Sequence, residues 1–466
     1  MNAETAGTAT TGLLGLDWSA GSRIIGLAGP TMLAMLTQTA INQVDHILVG
    51  RLPASESVPG QSALQVSLIL LWAVGGSLAA ISVGTQALTA RRLGEGAPKE
   101  AGRVLASSLT IAVVFGSLLS LLAWIFTPEI FRLVNRDETV VSLGVPFLRY
   151  RYLQVLPMVV SVSFKSFFDG MGKTWVHLVV AIVMNVVNFV LALGLVFGTL
   201  GMPRLGVAGA GLASCLSSWV GAAMMLGFSL RGAFRHRFEY YRFGAPSRRL
   251  ALEIARLSIP SAVAALFAMG GFGFFLWVVG RLDQPGHPIL TSATSNIINI
   301  FQLVFILGIA YGTATSTLVG HNMGAKKFDV AARFGHEAAK LGFLIFLPAG
   351  LLAFSFPDLI LHGWCKDLEV ITVAAPILRV LALLAPVMAV ALTYTYALYG
   401  AGNSLFVMAV EGILHFTCLM PLSYLLAMTF GFGIWGVWSA MMAYVVLLTV
   451  IMAWKFRGGS WKSIRI

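Results

Sequence analysis

The sequence has few charged side chains and only three cysteines. Charged residues make up 11% of its 466 residues, whereas 58% are hydrophobic. Soluble globular proteins carry about 25% charged residues, so this composition excludes an ordinary soluble domain. Cys215, Cys365 and Cys418 have no metal-site spacing and predict no disulfide framework.

Motifs for nucleotide binding and hydrolysis are also missing. The Gly-Lys-Thr at 172–174 resembles the end of a phosphate-binding loop, but Phe167 stands where that loop needs a glycine. The His-Glu at 336–337 begins a zinc-protease pattern, but Lys340 replaces its second histidine. We therefore expect no cofactor, no ATP-driven pumping and no hydrolytic chemistry.

Apolar runs recur along the whole chain, and each is long enough to cross a bilayer, which takes about 20 helical residues. They predict an all-α integral membrane protein with about twelve transmembrane helices. Residues 1–22 lack Lys and Arg, so we expect no cleavable signal peptide. The predicted spans are 24–48, 62–89, 104–126, 145–168, 175–198, 206–230, 253–280, 290–318, 340–356, 372–399, 404–430 and 433–455.

The chain repeats itself with a period of 230 residues. The Val-Gly-Arg-Leu at 49–52 recurs at 279–282, and Pro30 recurs as Pro260. Six spans in each copy give both copies the same orientation, so the repeat is parallel and pseudo-two-fold, as in many secondary transporters. The predicted parts are an N-terminal six-helix lobe at 1–230, a cytoplasmic linker at 231–256 and a C-terminal six-helix lobe at 257–466.

The net charge of +12 indicates membrane topology rather than a nucleic-acid surface. If the N-terminus is cytoplasmic, most of the 31 Lys and Arg residues fall at cytoplasmic span ends. This predicts cytoplasmic N- and C-termini and attraction to anionic inner-leaflet lipids. No Asn-x-Ser/Thr sequon occurs, which favours a bacterial inner (plasma) membrane. We expect a monomer that contacts membrane lipids and no nucleic acid.

One acidic residue stands out in the first span. Charges are costly inside a bilayer and usually mark ion pathways. Asp45 shares a helix face with Gln38 and Asn42, which predicts an ion- or proton-coupling carboxylate, with Na⁺ as one candidate, beside a substrate pathway. The alternative is a structural ion pair with a nearby arginine such as Arg51. The repeat places Phe275 opposite Asp45, so the two lobes are chemically unequal.

Further polar residues lie in other spans. Glu411 and His415, four residues apart in the eleventh span, can relay protons or bind a cation, or form a structural pair. Lys165 and Asp169 predict a local salt bridge. The remaining candidates for a polar cavity, or for contacts between helices, are Asn185 and Asn188 in the fifth span and Asn296, Asn299 and Gln302 in the eighth.

An ordered set of motifs resembles the multidrug and toxic compound extrusion (MATE) family of antiporters. The motifs are Pro30, the Val-Asp at 44–45 with the Gly-Arg-Leu at 50–52, the Leu-Gly at 93–94 with the Met-Gly at 323–324, the stretches 169–174 and 399–404, and Asn188 followed by 205–210. The resemblance covers 24–455. It implies twelve helices in two lobes around a central cleft, and export of organic, often cationic, compounds driven by inward H⁺ or Na⁺. The family's first-span carboxylate corresponds to Asp45.

The chain departs from the family pattern in three places. The Glu of the seventh span and the Asp of the tenth, which one branch carries, are absent, and Ala192 stands where another branch has an Asp. These departures argue against a second-lobe Na⁺ site and a two-Asp proton site. Glu411 is then the candidate to take over part of that role.

The sequence thus predicts a secondary active transporter that exports organic, cationic or amphipathic compounds by H⁺- or Na⁺-coupled antiport with alternating access. A lipid-linked oligosaccharide flippase is the first alternative, although Lys165 is the only cation clearly inside a span. A membrane-embedded lipid-modifying enzyme is the second, and the pair at 411 and 415 is its only candidate dyad.

Overall fold

The structure, a computed structural model, describes residues 17–242, 244–284 and 287–465. Regular structure in these residues is helical, apart from isolated β-bridge residues. Ten of the described helices are long and apolar enough to cross a bilayer. Leu368–Ala382 and Ala385–Gly400, bent by 53° at a short break, together meet the same criteria and give an eleventh candidate span. The predicted all-α membrane fold is confirmed.

The described chain divides into two compact units. One unit is Pro30–Ala262, and the other joins the described residues before Pro30 to those from Val263 onward. Helices α1 and α12 belong in part to each. The helices of the first half are α1 (Trp18–Gly50), α2 (Ala54–Leu71), α3 (Ser77–Ala79), α4 (Ile81–Gly94), α5 (Pro98–Ile125), α6 (Thr127–Val134), α7 (Glu138–Leu153), α8 (Val155–Gly170), α9 (Trp175–Phe197), α10 (Val207–Leu230) and α11 (Gly232–Phe238).

The helices of the second half follow the same scheme. They are α12 (Arg248–Leu282), α13 (Ile289–Gly324), α14 (Phe328–Ser355), α15 (Pro357–His362), α16 (Leu368–Ala382), α17 (Ala385–Gly400), α18 (Ser404–Leu414), α19 (Met420–Tyr424) and α20 (Gly433–Arg457). Short π-helical turns cover Trp72–Gly76, His415–Leu419 and Leu425–Thr429, and a 3₁₀ turn covers Ser460–Ser463.

The unit boundaries lie close to two prolines that the repeat relates. Pro30 lies inside α1 and Pro260 inside α12, next to the boundaries at 29/30 and 262/263. Proline inside a helix removes one backbone hydrogen bond and crowds the carbonyl four residues earlier, so a helix bends easily there. The lobes at 1–230 and 257–466 with their linker at 231–256 stay a prediction.

Two predicted spans, 145–168 and 372–399, are each broken into two helices. Helices α7 and α8 meet at Gln154, and α16 and α17 meet near Leu384. Proline in the first turn of the second helix, Pro157 or Pro386, has no N–H to continue the preceding helix. The first pair carries several charged side chains and is not among the helices that qualify as spans. This pair covers the fourth predicted span, 145–168.

The repeat is visible in one helix contact that occurs in both copies. A Cβ atom added to Gly170 in α8 would lie 3.0 Å from the carbonyl oxygen of Gln86 in α4. A Cβ atom added to Gly400 in α17 would lie 2.3 Å from the carbonyl oxygen of Ser316 in α13. Both glycines and both partners are 230 residues apart. Glycine at such crossings lets helix backbones approach closely in a membrane.

We expect Gly400→Ala to destabilise the protein because its methyl group would overlap the backbone of α13. Overpacking of this kind costs about 1–3 kcal/mol. The thermal unfolding midpoint of the purified protein in detergent should fall. Gly227→Ala is the matched control, because no atom lies within 4 Å of a Cβ added there. A Gly400→Ala protein as stable as this control would contradict the close contact.

Candidate functional site

Asp45 is buried in the first unit and takes part in a short hydrogen-bonded chain. Its side chain lies in α1 with only 3% of the residue exposed. The Ser214 hydroxyl of α10 donates to Asp45 Oδ2 at 3.0 Å, and the Asn188 amide of α9 donates to Ser214 Oγ at 3.1 Å. Two neighbouring helices therefore hold the carboxylate in place.

Arg151 completes this group, which we call the Asp45 cluster: Asp45, Arg151, Asn188 and Ser214. Arg151 Nη1 lies 3.9 Å from Asp45 Oδ2, within ion-pair range but too far for a hydrogen bond. Arg151 is 7% exposed, and its guanidinium lies over the ring of Phe147. An acid and a base thus share an apolar environment without a direct hydrogen bond.

Two buried oxygen atoms of the Asp45 cluster lack a hydrogen bond within the described structure. Asp45 Oδ1 and Asn188 Oδ1 are buried and accept no hydrogen bond from the described residues. A buried acceptor left without a partner costs about 1–3 kcal/mol. An incoming proton or a hard cation would satisfy such oxygens. The described residues contain no group of three or more His, Cys, Asp or Glu side chains suited to a metal ion.

The structure brings some predicted site residues together and leaves others apart. Asn188 reaches Asp45 through Ser214, and Asn185 is half-buried one turn earlier on α9. Gln38 is exposed, and the side chain of Asn42 lies outside the described part of the chain. Lys165 and Asp169 form the predicted salt bridge, with 2.8 Å between Nζ and Oδ2.

Sequence reasoning missed Ser214 and Arg151. The arginine it named as a partner for Asp45 was Arg51, which is exposed at the end of α1. Arg151 was counted among the charges at a span end, although two arginines inside the apolar stretch 145–168 were a usable signal. Ser214 had none, because serine is common in apolar helices.

The pair in the eleventh span has a different geometry from the predicted one. His415 is fully buried, and its Nδ1 lies 2.7 Å from the backbone carbonyl oxygen of Glu411 rather than from the carboxylate. His415 Nε2 is buried without a hydrogen-bond partner among the described residues. The Glu411 carboxylate lies within electrostatic range of Tyr396 and Tyr444. These contacts do not form a side-chain relay between Glu411 and His415.

Local backbone structure explains how His415 is accommodated. It begins the π-helical turn His415–Leu419, and such turns often occur at functional sites. Its ring lies 4.7 Å from that of Tyr444. A Cβ atom on Gly271 would lie 2.2 Å from His415 Cδ2, so the glycine makes space for the imidazole.

The position equivalent to Asp45 in the second copy is occupied by an aromatic contact. Phe275 is fully buried, and its ring meets that of Trp438 edge to face at 5.1 Å.

In the eighth span, the Asn296 amide donates to the Ser292 carbonyl of its own helix, while Asn299 and Gln302 are exposed.

Comparison with known proteins identifies the family. A family model described as MatE matches residues 30–194 and 260–425, more than half of the chain. The chain belongs to the MatE family. It is therefore an integral membrane transporter and not an enzyme, as the first-span carboxylate and the repeat predicted.

Named relatives and solved structures agree with this assignment. A protein of Thermotoga maritima named "Probable multidrug resistance protein NorM" is 24% identical, over 94% of this chain and 93% of its own. A multidrug resistance protein NorM of Vibrio parahaemolyticus is 28% identical over 66% of each. A multidrug resistance MATE family transporter in an outward-facing conformation has the same fold, with a TM-score of 0.85 at 19% identity over 96% of this chain and 97% of that chain.

Proposed function

We propose that this MatE protein exports organic compounds across a bacterial inner membrane in exchange for protons, and that Asp45 is the proton-coupling residue. The observation that carries the proposal is the Asp45 cluster. A buried carboxylate with one hydrogen-bond donor, a distant arginine and one open oxygen is poised between a charged and a protonated form. Efflux of multiple compounds is supported by the names of the NorM relatives.

The arginine favours a proton over Na⁺ as the coupling ion. A metal ion at the Asp45 oxygens would lie close to the positive guanidinium of Arg151, which is 3.9 Å from Oδ2. A proton brings no such conflict, because it neutralises the carboxylate. Two unit charges 4 Å apart attract by about 4 kcal/mol at an effective dielectric constant of 20. Protonation of Asp45 removes this attraction and releases Arg151.

An energy of that size supplies most, but not all, of what a complete switch between two conformations requires. Moving a two-state equilibrium from 1:99 to 99:1 takes about 5.5 kcal/mol. The helices that carry the Asp45 cluster, α1, α7, α9 and α10, would rearrange when the ion pair with Arg151 is lost. Pro30 and Pro260 give α1 and α12 places to bend, and solved relatives with this fold include a MATE protein described as being in a bent conformation.

The remaining assignments follow from the same proposal. Glu411 is a second proton carrier, since it is the one acid predicted within the spans of the second copy, and Asn185 and the polar residues of the eighth span line the substrate path. The substrate is an organic cation or an amphipathic compound. The protein works as a monomer and needs no cofactor. Both termini face the cytoplasm, as the distribution of Lys and Arg predicts. Na⁺ at Asp45 is the alternative coupling ion.

A flippase for lipid-linked oligosaccharides is the second candidate function. A Pyrococcus furiosus transporter with the same fold, TM-score 0.84 at 19% identity over 94% of this chain and 96% of that chain, is described as having a binding pocket of reversed polarity that suggests a different function. One fold therefore serves unlike substrates. Transport of a labelled lipid-linked sugar in the absence of drug efflux would favour this candidate.

The first test is efflux of a fluorescent organic cation from proteoliposomes. An imposed proton gradient, directed opposite to export, should accelerate efflux by the wild type. Asp45→Asn should lose that acceleration because the amide cannot take up the proton, while its thermal unfolding midpoint stays close to that of the wild type. Glu253→Gln is the matched control, since this carboxylate also pairs with an arginine, Arg92, in the same unit. Wild-type efflux that ignores the gradient would contradict proton antiport.

A second test addresses the choice of ion. Arg151→Gln removes the positive charge beside Asp45, so Na⁺ should inhibit or replace proton-driven efflux in this variant but not in the wild type. Lys165→Gln, which breaks the ion pair with Asp169, is the control and should keep the wild-type response. Efflux from the wild type that follows a Na⁺ gradient would show that the argument from Arg151 is wrong.

A further inference from the structure

A groove of about 910 Å³ lies on the second unit, at the end of α20. It is separate from both the Asp45 cluster and Glu411. Helices α14, α17 and α20 form its walls. The side chains that define it are Lys340, Phe343, Val390, Tyr394, Trp454 and Arg457.

The groove is polar at one end and apolar at the other. The polar end is lined by Lys340, Tyr394 and Arg457. The rest of the groove is an apolar trough, lined by Phe343, Leu344, Val390, Val450 and Ala453. From Arg457 back to Thr449, the groove follows α20 for roughly 12 Å at 1.5 Å per residue. A ligand that fills it has one charged end and an apolar body, which together extend over about that length.

The charge at the polar end is positive. No carboxylate is among the lining side chains of this groove, and none of the ion pairs among the described residues includes Arg457. Arg457 lies close to the Tyr394 hydroxyl, which is itself 3.1 Å from His336 Nδ1. Arg457 and Lys340 also act electrostatically on the same neighbour, His336.

Lys340 is only partly neutralised. Its Nζ lies 2.8 Å from Glu337 Oε1, but the lysine is half exposed and the glutamate also accepts the Asp17 backbone N–H at its other oxygen. Glu337 itself does not line the groove. Lys340 and Arg457 are thus the charged side chains that line the polar end of the groove, and Lys340 reaches it while paired with Glu337.

The position of the groove in the membrane fits a lipid. Arg457 is the last residue of α20, at the end where the basic residues Lys455 and Lys462 collect. Trp454 is 69% exposed one turn earlier, and exposed tryptophan beside basic residues is typical of the headgroup level of a bilayer. Basic pockets between spans on the cytoplasmic side bind anionic headgroups.

We propose that this groove is a binding site for one anionic phospholipid of the leaflet in which α20 ends. Its phosphate lies between Lys340 and Arg457, and its acyl chains lie along the trough that ends at Val390 and Phe343. A small soluble anion would leave the apolar trough unfilled. A zwitterionic lipid has no net charge to match the two cations, and an organic cation is repelled by them. The proposal needs the membrane embedding of the chain but not proton coupling.

Native mass spectrometry of the full chain in detergent tests this site. The probes are phosphatidylglycerol and phosphatidylcholine with identical acyl chains. We expect the wild type to retain phosphatidylglycerol preferentially. Lys340→Gln with Arg457→Gln should weaken its binding roughly tenfold or more, since each basic residue near a membrane surface contributes about fivefold in affinity for an anionic lipid. Lys326→Gln with Lys327→Gln removes the same charge from exposed positions of the same unit and should leave the binding unchanged.

A second variant keeps the charges and fills the trough. Ala453 lines the groove, so Ala453→Trp should also displace the lipid if the acyl chains lie there. The proposal is overturned if phosphatidylcholine binds equally well, or if both double variants lose binding to the same extent. It is also overturned if Ala453→Trp binds normally, or if millimolar inorganic phosphate displaces phosphatidylglycerol completely.

Discussion

A carboxylate buried among membrane helices must be neutralised, and the structure around Asp45 depends on how this is done. One hydroxyl donates to it, one arginine lies just beyond hydrogen-bond distance, and one oxygen is left open. Had Arg151 formed a two-pronged hydrogen-bonded pair, the charge would be compensated permanently and the group would be structural. The loose pair leaves the protonated form within reach, which a proton-coupled carrier needs.

The two copies of the repeat separate scaffold from chemistry. The close glycine contacts at Gly170 and Gly400 preserve the same helix crossing in both copies. Asp45 and Phe275 occupy equivalent positions in the repeat but make different contacts. Asp45 belongs to a charged cluster, and Phe275 packs against the ring of Trp438. The two copies thus share this backbone packing but differ in the side chains of their interiors.

Much of the fold was predictable from the sequence because it depends on local patterns. Apolar runs predict the spans, the 230-residue period predicts the order of the helices, and an acidic residue inside an apolar span, Asp45, marks the candidate site. The family resemblance rested on the same residues, and the match of the MatE model over 30–194 and 260–425 confirms it.

What could not be predicted depends on contacts between distant parts of the chain. Ser214 and Arg151 meet Asp45 from α10 and α7, and no spacing rule relates residues so far apart. The i, i+4 spacing of Glu411 and His415 predicted contact between side chains, but the π-helical turn directs the imidazole to a backbone carbonyl instead. The break of the fourth span at Gln154 depends on Pro157, whose effect on helix direction is set by tertiary packing.

The most direct measurement is proton release when substrate binds to the purified protein in weakly buffered detergent solution. If substrate and proton exchange at Asp45, adding an organic cation should release protons from the wild type, and Asp45→Asn should bind the same compound while releasing markedly fewer. Binding without any proton release, or a release that Asp45→Asn leaves unchanged, would contradict the assignment of Asp45 as the coupling residue.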